Sequence, residues 1–240
     1  MVRQERAVRT RRAILEAAAV VFDERGYDAA TIAEILAHAG VTKGALYFHF
    51  SSKLELAQGV LDAQFDKCLV PPRASKLQEL VDVAMVLAYR MKYEPMLSAG
   101  ARLSLGPDTL EMRGGAVPGW IEILRKLLCV AKEQGELLPD VDPAETAWIL
   151  SACWSGVQLY SQTLNDRADI EGRVATLYRH VLPGIATPAM LSRLDMADDR
   201  GRRVVAEVAT RAARAARAGA GAGAGAGLGV GSEACAVPRA

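Results

Sequence analysis

Aromatic residues and histidines are both scarce in this sequence. Only 5% of the 240 residues are Phe, Trp or Tyr, and the 3 histidines (His38, His49 and His180) lie far apart. No nucleophile, base and acid come together along the chain, and no phosphate-binding loop is recognisable. We therefore expect a protein that is not an enzyme, with no catalytic residues and no cofactor.

The cysteine spacing and the lack of long apolar runs exclude two further classes. The four cysteines, Cys68, Cys129, Cys153 and Cys235, show no C-x-x-C or other metal-ligand spacing, so no metal site is expected. No apolar run approaches the roughly 18 residues of a membrane-spanning helix, and no secretory signal is recognisable. The expected protein is cytoplasmic, with reduced thiols and no membrane partner.

Positive charge is concentrated at two places, although the net charge is only +1. Residues 1–15 hold five arginines against one glutamate, and residues 200–217 hold six arginines against one glutamate. A near-neutral protein with basic ends can bind nucleic acid locally. The arginine-rich start is a candidate for backbone or minor-groove contacts, whereas the arginines at 200–217 are best interpreted as a solvated helix face.

Hydrophobic periodicity predicts helices along almost the whole chain and no strands. Apolar residues recur at spacings of three and four, which is the pattern of amphipathic helices. The predicted helices cover 10–25, 31–39, a short stretch from 42, 51 to about 65, 75–93, 95–105, 119–134, 143–163, 170–182, a short stretch after 188, and 202–218. A loop rich in Gly and Pro spans roughly 106–118, and GAGAGAGAG at 219–227 begins a tail expected to be disordered. The fold class is therefore all-α.

Two short predicted helices form a helix-turn-helix pattern. Thr31, with Glu34 three residues later, predicts a capping box at the start of the first. Gly40 suits the tight turn between them, and Thr42 can cap the second. The second helix would lie in the major groove of DNA, with its N-terminal residues at base edges. These residues are Thr42, Lys43 and Gly44.

Four ring-bearing residues follow one another in TKGALYFHF, directly after the turn. On a short helix, Leu46 and Phe50 lie four residues apart and can both face the core. The other rings cannot all join them, so we expect Tyr47 and His49 to point outward as donors to the phosphate backbone. The alternative is a helical hairpin whose aromatic side chains all belong to the core.

The stretch AAAVVFDERGYDAATIAEILAHAGVTKGALYFHFSSKLEL resembles the N-terminal DNA-binding domain of the TetR family of repressors. In that family a helix-turn-helix sits on a larger helical domain that binds a small effector and forms a homodimer. The resemblance implies three partners: a double-stranded DNA operator, a small-molecule effector and a second copy of the chain. The positions that it matches to DNA contacts are Thr31, Thr42, Lys43, Gly44, Tyr47, His49 and Lys53.

The implied organisation has three parts. Residues 1–52 form the helix-turn-helix DNA-binding domain, and residues 53–200 form a helical domain for ligand binding and dimerisation. Residues 201–240 add a helical extension and the disordered Ala/Gly tail. The helices at 143–163 and 170–182, which are apolar on more than one face, are the candidates for a four-helix dimer interface.

Further segments are similar to the γ-butyrolactone autoregulator receptors, which are TetR-type hormone sensors. These segments are PMLSAGARLSLG, CWSGVQLYSQTL and RVATLYRHVLPGIATPAMLSRLD, together with Trp120 after a Pro-Gly loop. The similarity extends to about Arg203. In that group a tryptophan that lines the pocket is important for the ligand response, and Trp120 matches its position.

A γ-butyrolactone is an apolar chain on a small polar ring, so it needs an apolar cavity, an aromatic wall and one or two hydrogen bonds. Trp120 can supply a ring face and an N–H group. Gln64 and Ser155 are polar residues on apolar helical stretches and could bind the lactone. A surface amide for Gln64 and a hydroxyl bonded to its own helix for Ser155 are equal alternatives. Met85 is a further pocket candidate. Trp154 could belong either to the pocket or to the core of the dimer interface.

Several functional hypotheses follow. The first is a repressor that a γ-butyrolactone releases from its operator. The second is a pseudo-receptor that responds to an antibiotic or a biosynthetic intermediate. The third is a DNA-binding protein without an effector, which predicts a filled core around Trp120. A helical enzyme or carrier would need an acid/base set or cofactor site that the sequence does not show.

Overall fold

The structure, a computed structural model, describes residues 2–64, 70–105 and 115–222. Its helices are α1 (Val2–Arg25), α2 (Ile32–Ala39), α3 (Lys43–His49), α4 (Lys53–Ala63), α5 (Lys76–Met91), α6 (Pro95–Leu105), α7 (Val117–Glu133), α8 (Pro143–Asn165), α9 (Ile170–Val181), α10 (Pro188–Leu191) and α11 (Arg200–Ala222). Some predictions lie outside the described residues: the end of the fourth helix near 65, Cys68, Cys235, the loop at 106–114 and the tail from 223 on.

The described residues confirm the all-α fold. Apart from the helices, they contain an isolated antiparallel bridge between Leu137 and Ala186. Two helices are longer than predicted, since α1 begins at Val2 and α11 continues to Ala222. The first residues of the Ala-Gly tail are thus helical where disorder was predicted. Extending an existing helix avoids the cost of nucleation, and alanine is the strongest helix former.

The chain packs as two compact units. The first comprises Met1–Lys67, Arg90–Glu122 and Gln162–Ala168, and the second comprises Cys68–Tyr89, Ile123–Ser161 and Asp169–Ala240. The functional division after residue 52 stays a prediction.

The core of the first unit is built around α1. This helix packs against α2, α3, α4 and α6. Ile14, Ala18 and Phe22 lie four residues apart on α1 and are fully buried. Leu46 and Phe50 belong to the same core cluster. The position of α3 is therefore fixed by apolar contacts with α1, the helix on which the rest of this unit also packs.

A buried ion cluster joins α5 and α11 in the second unit. Asp82 is 0% exposed, and its two carboxylate oxygens accept from Arg73 Nε (2.8 Å) and Arg200 Nε (2.7 Å). Arg73 also donates two hydrogen bonds to Glu207, at 3.0 and 2.8 Å. These bonds raise the pKa of Arg73 and lower the pKa of Glu207. The cluster therefore holds α11 to α5 through paired charges.

At Gly201 the backbone of α11 approaches the backbone of α5 closely. A Cβ atom placed there would overlap the carbonyl oxygen of Met85, which is part of the backbone and cannot rotate away. We expect Gly201→Ala to lower the free energy of unfolding by about 1–3 kcal/mol, because α11 must shift. Urea denaturation at a fixed protein concentration measures this change.

Gly172→Ala in α9 is the matched control. Its new Cβ would meet a carboxylate oxygen of Asp198 at 3.4 Å, which is an ordinary contact. Because alanine has the higher helix propensity, this substitution should be neutral or stabilising by up to about 1 kcal/mol. Equal losses in the two variants would contradict the close approach at Gly201.

Candidate DNA-binding and ligand-binding sites

Thr31 and Glu34 form the predicted capping box at the start of α2. The Thr31 hydroxyl oxygen accepts from the backbone N–H of Glu34 (3.2 Å), and the Glu34 carboxylate accepts from the backbone N–H of Thr31 (3.0 Å). A further hydrogen bond from the Thr31 hydroxyl to this carboxylate is the main reason why the pKa of Glu34 is lowered. The box fixes the first residue of α2.

The turn between α2 and α3 also has its predicted geometry. Gly40 adopts the left-handed conformation (φ 62°), and its N–H donates to the carbonyl oxygen of Leu36 at 3.0 Å. Val41 is partly buried against the core of the first unit. Thr42 then caps α3, since its hydroxyl oxygen accepts from the backbone N–H of Ala45 at 3.2 Å. Both ends of the turn are therefore held by local hydrogen bonds.

The outward surface of α3 is formed by Lys43, Gly44, Tyr47 and Phe48, and this set is called the reading face below. Lys43 and Gly44 are exposed, and a Cβ atom on Gly44 would meet nothing within 4 Å. Tyr47 is 45% exposed, as expected, and Lys43 Nζ lies 5.9 Å from the centre of its ring. The reading face thus combines a cation, a phenol and an open stretch of backbone.

Phe48 belongs to the reading face, although no orientation was predicted for its side chain. It is 79% exposed, whereas His49, expected outward, is half-buried with its ring edge-on to Phe48 at 5.1 Å. Successive helical residues are about 100° apart, so a helix that turns positions 46 and 50 inward turns position 48 directly outward. Positions 47 and 49 then lie at the flanks. The helical period alone was the signal that could have identified Phe48.

Two further cations of the first unit lie against rings. Lys53 Nζ donates to the carbonyl oxygen of Asp28 (3.1 Å) and lies 4.5 Å from the ring centre of Tyr27. Lys53 is therefore tied to the loop between α1 and α2. The guanidinium of Arg11 lies 5.1 Å from the ring centre of Phe50, so the arginine-rich start of α1 reaches the end of α3.

Two of the ligand-site candidates, Trp120 and Gln64, belong to the first unit. Trp120 is partly buried and packs against the core of that unit. Gln64 is only 7% exposed, and its Nε2 donates to the carbonyl oxygen of Leu61 at 3.1 Å, so the surface-amide alternative is wrong. Gln64 also lines a cleft of about 720 Å³, together with apolar residues that include Leu15, Val20, Met96 and Leu97.

The other three candidates belong to the second unit. Met85 is fully buried. The indole Nε1 of Trp154 is buried and has no hydrogen-bond partner in the part of the chain that the structure describes. Ser155 is half-buried, and no hydrogen bond from its hydroxyl to its own helix is observed within the described ranges. Trp154 therefore has an N–H group that a ligand could satisfy.

The helix α8 exposes large apolar side chains along one stripe. At about 100° per residue, Trp148, Ile149, Leu159 and Tyr160 fall within an arc of roughly 120°. Leu164, near the end of α8, is exposed as well. The exposed positions of α9, in contrast, are polar: Arg173, Thr176, Arg179 and His180. Apolar surface is thus available on α8 and not on α9.

Within residues 2–64, 70–105 and 115–222, no group of three or more His, Cys, Asp or Glu residues is placed to hold a metal ion. None of the helices there has the length and hydropathy of a membrane span.

Residues 14–60 match the family described as bacterial regulatory proteins, tetR family. Over 196 residues, the chain is also 43% identical to the A-factor receptor protein of Streptomyces griseus. The aligned region covers 81% of this chain and 70% of that protein. The chain belongs to the TetR family. Like these relatives, it is a transcriptional regulator of the TetR type.

Solved structures agree with this TetR-family assignment. TylP, a TetR regulator from Streptomyces fradiae, is 44% identical with a TM-score of 0.77, covering 87% of this chain and 94% of that one. A γ-butyrolactone receptor described as ArpA-like is 31% identical with a TM-score of 0.63, covering 85% of this chain and 97% of that one. The residues of α2 and α3 described above are thus the helix-turn-helix of a TetR-family regulator.

Proposed function

We propose that this TetR-family regulator is a repressor that binds an operator as a homodimer and leaves it when a γ-butyrolactone-type molecule binds. The observation that carries the proposal is the reading face of α3. Lys43, Gly44, Tyr47 and Phe48 are open to solvent on a helix whose first residue and inner face are both fixed. Such a preformed surface suits insertion into the major groove of DNA.

Each residue of the reading face has a role that matches its chemistry. Lys43 is placed to donate to guanine acceptors or to phosphate, and Gly44 allows close approach of the backbone. Tyr47 donates to the phosphate backbone, while Phe48 makes apolar contact with thymine methyl groups or sugars. Thr31, Thr42, His49 and Lys53 remain proposed contacts; Thr31 and Thr42 also cap their helices.

The exposed apolar stripe of α8 supports the homodimer. A helix rarely leaves two large aromatic side chains and two aliphatic side chains in water unless a partner covers them. We assign the main interface to α8, with a smaller share for the polar outer face of α9. The interface must hold two α3 helices about 34–36 Å apart to reach successive major grooves.

The effector assignment has two supports. One is the likeness to the A-factor receptor protein and the γ-butyrolactone receptor, and the other is the chemistry of the candidate residues. Trp120 offers an aromatic wall, and Trp154 has a buried N–H group without a partner among the described residues. Gln64 of the first unit and Ser155 and Met85 of the second unit remain further ligand candidates. Release requires the lactone to bind the free protein more tightly than the DNA-bound protein.

The test begins with selection of a tight-binding duplex from a random DNA pool. A panel of 2-alkyl-γ-butyrolactones is then titrated into the complex, and release is followed by gel shift. We expect one lactone to release the wild-type protein. Trp120→Ala should need about tenfold more lactone, equivalent to about 1.4 kcal/mol, with unchanged affinity for DNA.

Trp120→Phe is the control, since it keeps an aromatic ring and removes only the N–H group. An intermediate response would divide the role of Trp120 between ring and N–H. If the lactone concentration that releases the wild-type protein from DNA also releases Trp120→Ala, Trp120 does not belong to the ligand site. DNA binding that no lactone changes would eliminate lactone release, and antibiotics or biosynthetic intermediates would then be titrated in the same way.

A further inference from the structure

Three segments that are distant in sequence meet at one largely buried polar cluster in the first unit. Asp23 lies in the last turn of α1, Ser98 lies on α6, and Arg167 lies between α8 and α9. The Ser98 hydroxyl donates to the Asp23 carboxylate, and the Arg167 guanidinium donates to the Ser98 hydroxyl. Arg167 Nη1 also lies 3.8 Å from Asp23 Oδ1. This Asp23–Ser98–Arg167 cluster connects the end of α1 to α6, 75 positions further along the chain, and connects α6 to the segment after α8, another 69 positions on.

The cluster is costly to build. Ser98 is 2% exposed and Arg167 is 7% exposed, so a cation is removed from water. Burial lowers the pKa of Arg167, and the charge of Asp23 opposes this shift. Both Asp166 (φ 47°) and Arg167 (φ 60°) adopt the left-handed conformation that glycine prefers. Arg167 Nε has no hydrogen-bond partner within the described ranges.

A second contact fixes the same end of α1. Arg102 of α6 donates to the backbone carbonyl oxygen of Asp23. Its guanidinium also lies beside Gly26, where an added Cβ atom would be 3.3 Å from it. Gly26 ends α1 with φ 79°, and the loop to α2 begins there. The direction in which the chain leaves α1 toward the helix-turn-helix is therefore set by these side chains.

We propose that the Asp23–Ser98–Arg167 cluster positions the helix-turn-helix for operator binding, with Arg167 acting through Asp23 and not through DNA. The α8 helix, assigned above to the dimer interface, runs directly into the segment that carries Arg167. A change at the end of α8 would reach the end of α1 through this cluster. The inference rests on the proposed operator binding and adds the residues that couple α8 to the reading face.

Such a costly arrangement is expected where an orientation has to be maintained. If the cluster only stabilised the fold, its loss would weaken DNA binding only by reducing the amount of folded dimer. A positioning cluster changes the affinity for DNA while the protein remains folded and dimeric. This difference can be measured.

The experiment compares Arg167→Gln, Asp23→Asn and the double variant on the duplex selected by the wild-type protein. At 15 °C, circular dichroism and sedimentation are used to establish the fraction of folded dimer. We expect each single variant to bind the duplex about tenfold more weakly. The double variant should be no weaker than the weaker single variant, because both changes remove one interaction. Arg167→Lys, which keeps the charge, should recover to within about threefold of wild type.

The matched control is Arg202→Gln. Arg202 of α11 forms an exposed ion pair with Asp199 at 3.6 Å, so this variant removes the same charge outside the cluster. Its affinity for DNA should stay within about twofold of wild type. A change of less than twofold in Arg167→Gln, or a loss that follows the loss of folded dimer, would overturn the proposal.

Hydrogen exchange gives a second readout that does not need DNA. In Arg167→Gln, amides from the end of α1 through α3 should exchange at least about fivefold faster, while those of α11 keep their protection. Unchanged exchange between residues 23 and 42 would overturn the proposal even if the wild-type protein selects no duplex. If the wild-type protein selects no duplex, the proposed function is contradicted. The hydrogen-exchange result alone then tests the role of the cluster.

Discussion

Asp82→Ala is expected to lower the free energy of unfolding by about 3–5 kcal/mol, because it removes the fully buried carboxylate that two largely buried arginines share. The carboxylate of Asp82 is fully buried and binds both Arg73 and Arg200, whose side chains are themselves largely buried. Glu207 would still pair with Arg73, and Asp195 lies 3.2 Å from Arg200, so each arginine keeps one partner and loses the fully buried one. Urea denaturation at a fixed protein concentration is the measurement, since dimerisation would make stability depend on concentration.

Two comparisons show whether burial causes this loss. Asp198→Ala removes an exposed partner of Arg179 (3.2 Å) in the same unit and should change stability by no more than about 0.5 kcal/mol. The double variant Asp82→Ala/Arg200→Met should be more stable than Asp82→Ala, because an apolar side chain then replaces the largely buried guanidinium that has lost its buried partner. A loss below about 1 kcal/mol in Asp82→Ala would show that the cluster contributes little.

Lys43→Gln is expected to weaken operator binding by about 100-fold. A side chain at a base edge or phosphate contributes about 1–3 kcal/mol, and a dimer loses this contribution on both helices. Fluorescence anisotropy with the selected duplex, repeated over a range of salt concentrations, gives the affinity. If Lys43 binds phosphate, the salt dependence should also become shallower. If it binds a guanine, discrimination at one base pair should be lost.

Arg193→Gln is the control for Lys43→Gln. Arg193 is exposed near α10 in the second unit, so its substitution removes one positive charge away from the helix-turn-helix. Its affinity should remain within about threefold of wild type, since distant surface charges act only through screened attraction. Equal weakening by both variants would show that net charge, and not the reading face, determines binding.

Local chemistry made the helix-turn-helix predictable. The capping box of Thr31 and Glu34, the left-handed Gly40 and the cap of Thr42 all involve residues within four positions of one another. Such signals act in the same way wherever the helix is packed. The inward faces of Leu46 and Phe50 followed from spacing alone. The same spacing places Phe48 outward, so the sequence already contains the information that this side chain is exposed.

The ligand candidates were less predictable, because burial of a polar side chain depends on its neighbours. A surface amide and a ligand contact were equal alternatives for Gln64. The structure buries it next to Gly100, where an added Cβ atom would overlap its side chain. No local pattern indicates that a glycine on α6 makes room for a glutamine at the end of α4. Packing between helices decided this position.

The sequence by itself determined the helices, the caps of α2 and α3 and the inward positions of α3, because these depend on contacts between residues three or four positions apart. The tertiary structure decided which distant charges meet: Asp82 binds Arg200 across 118 positions, and Arg167 binds Ser98 across 69. A buried charge can pair with any opposite charge that folding brings close to it. Helical periodicity shows which face of a helix is inward, but only the packing of the helices determines which side chains meet there.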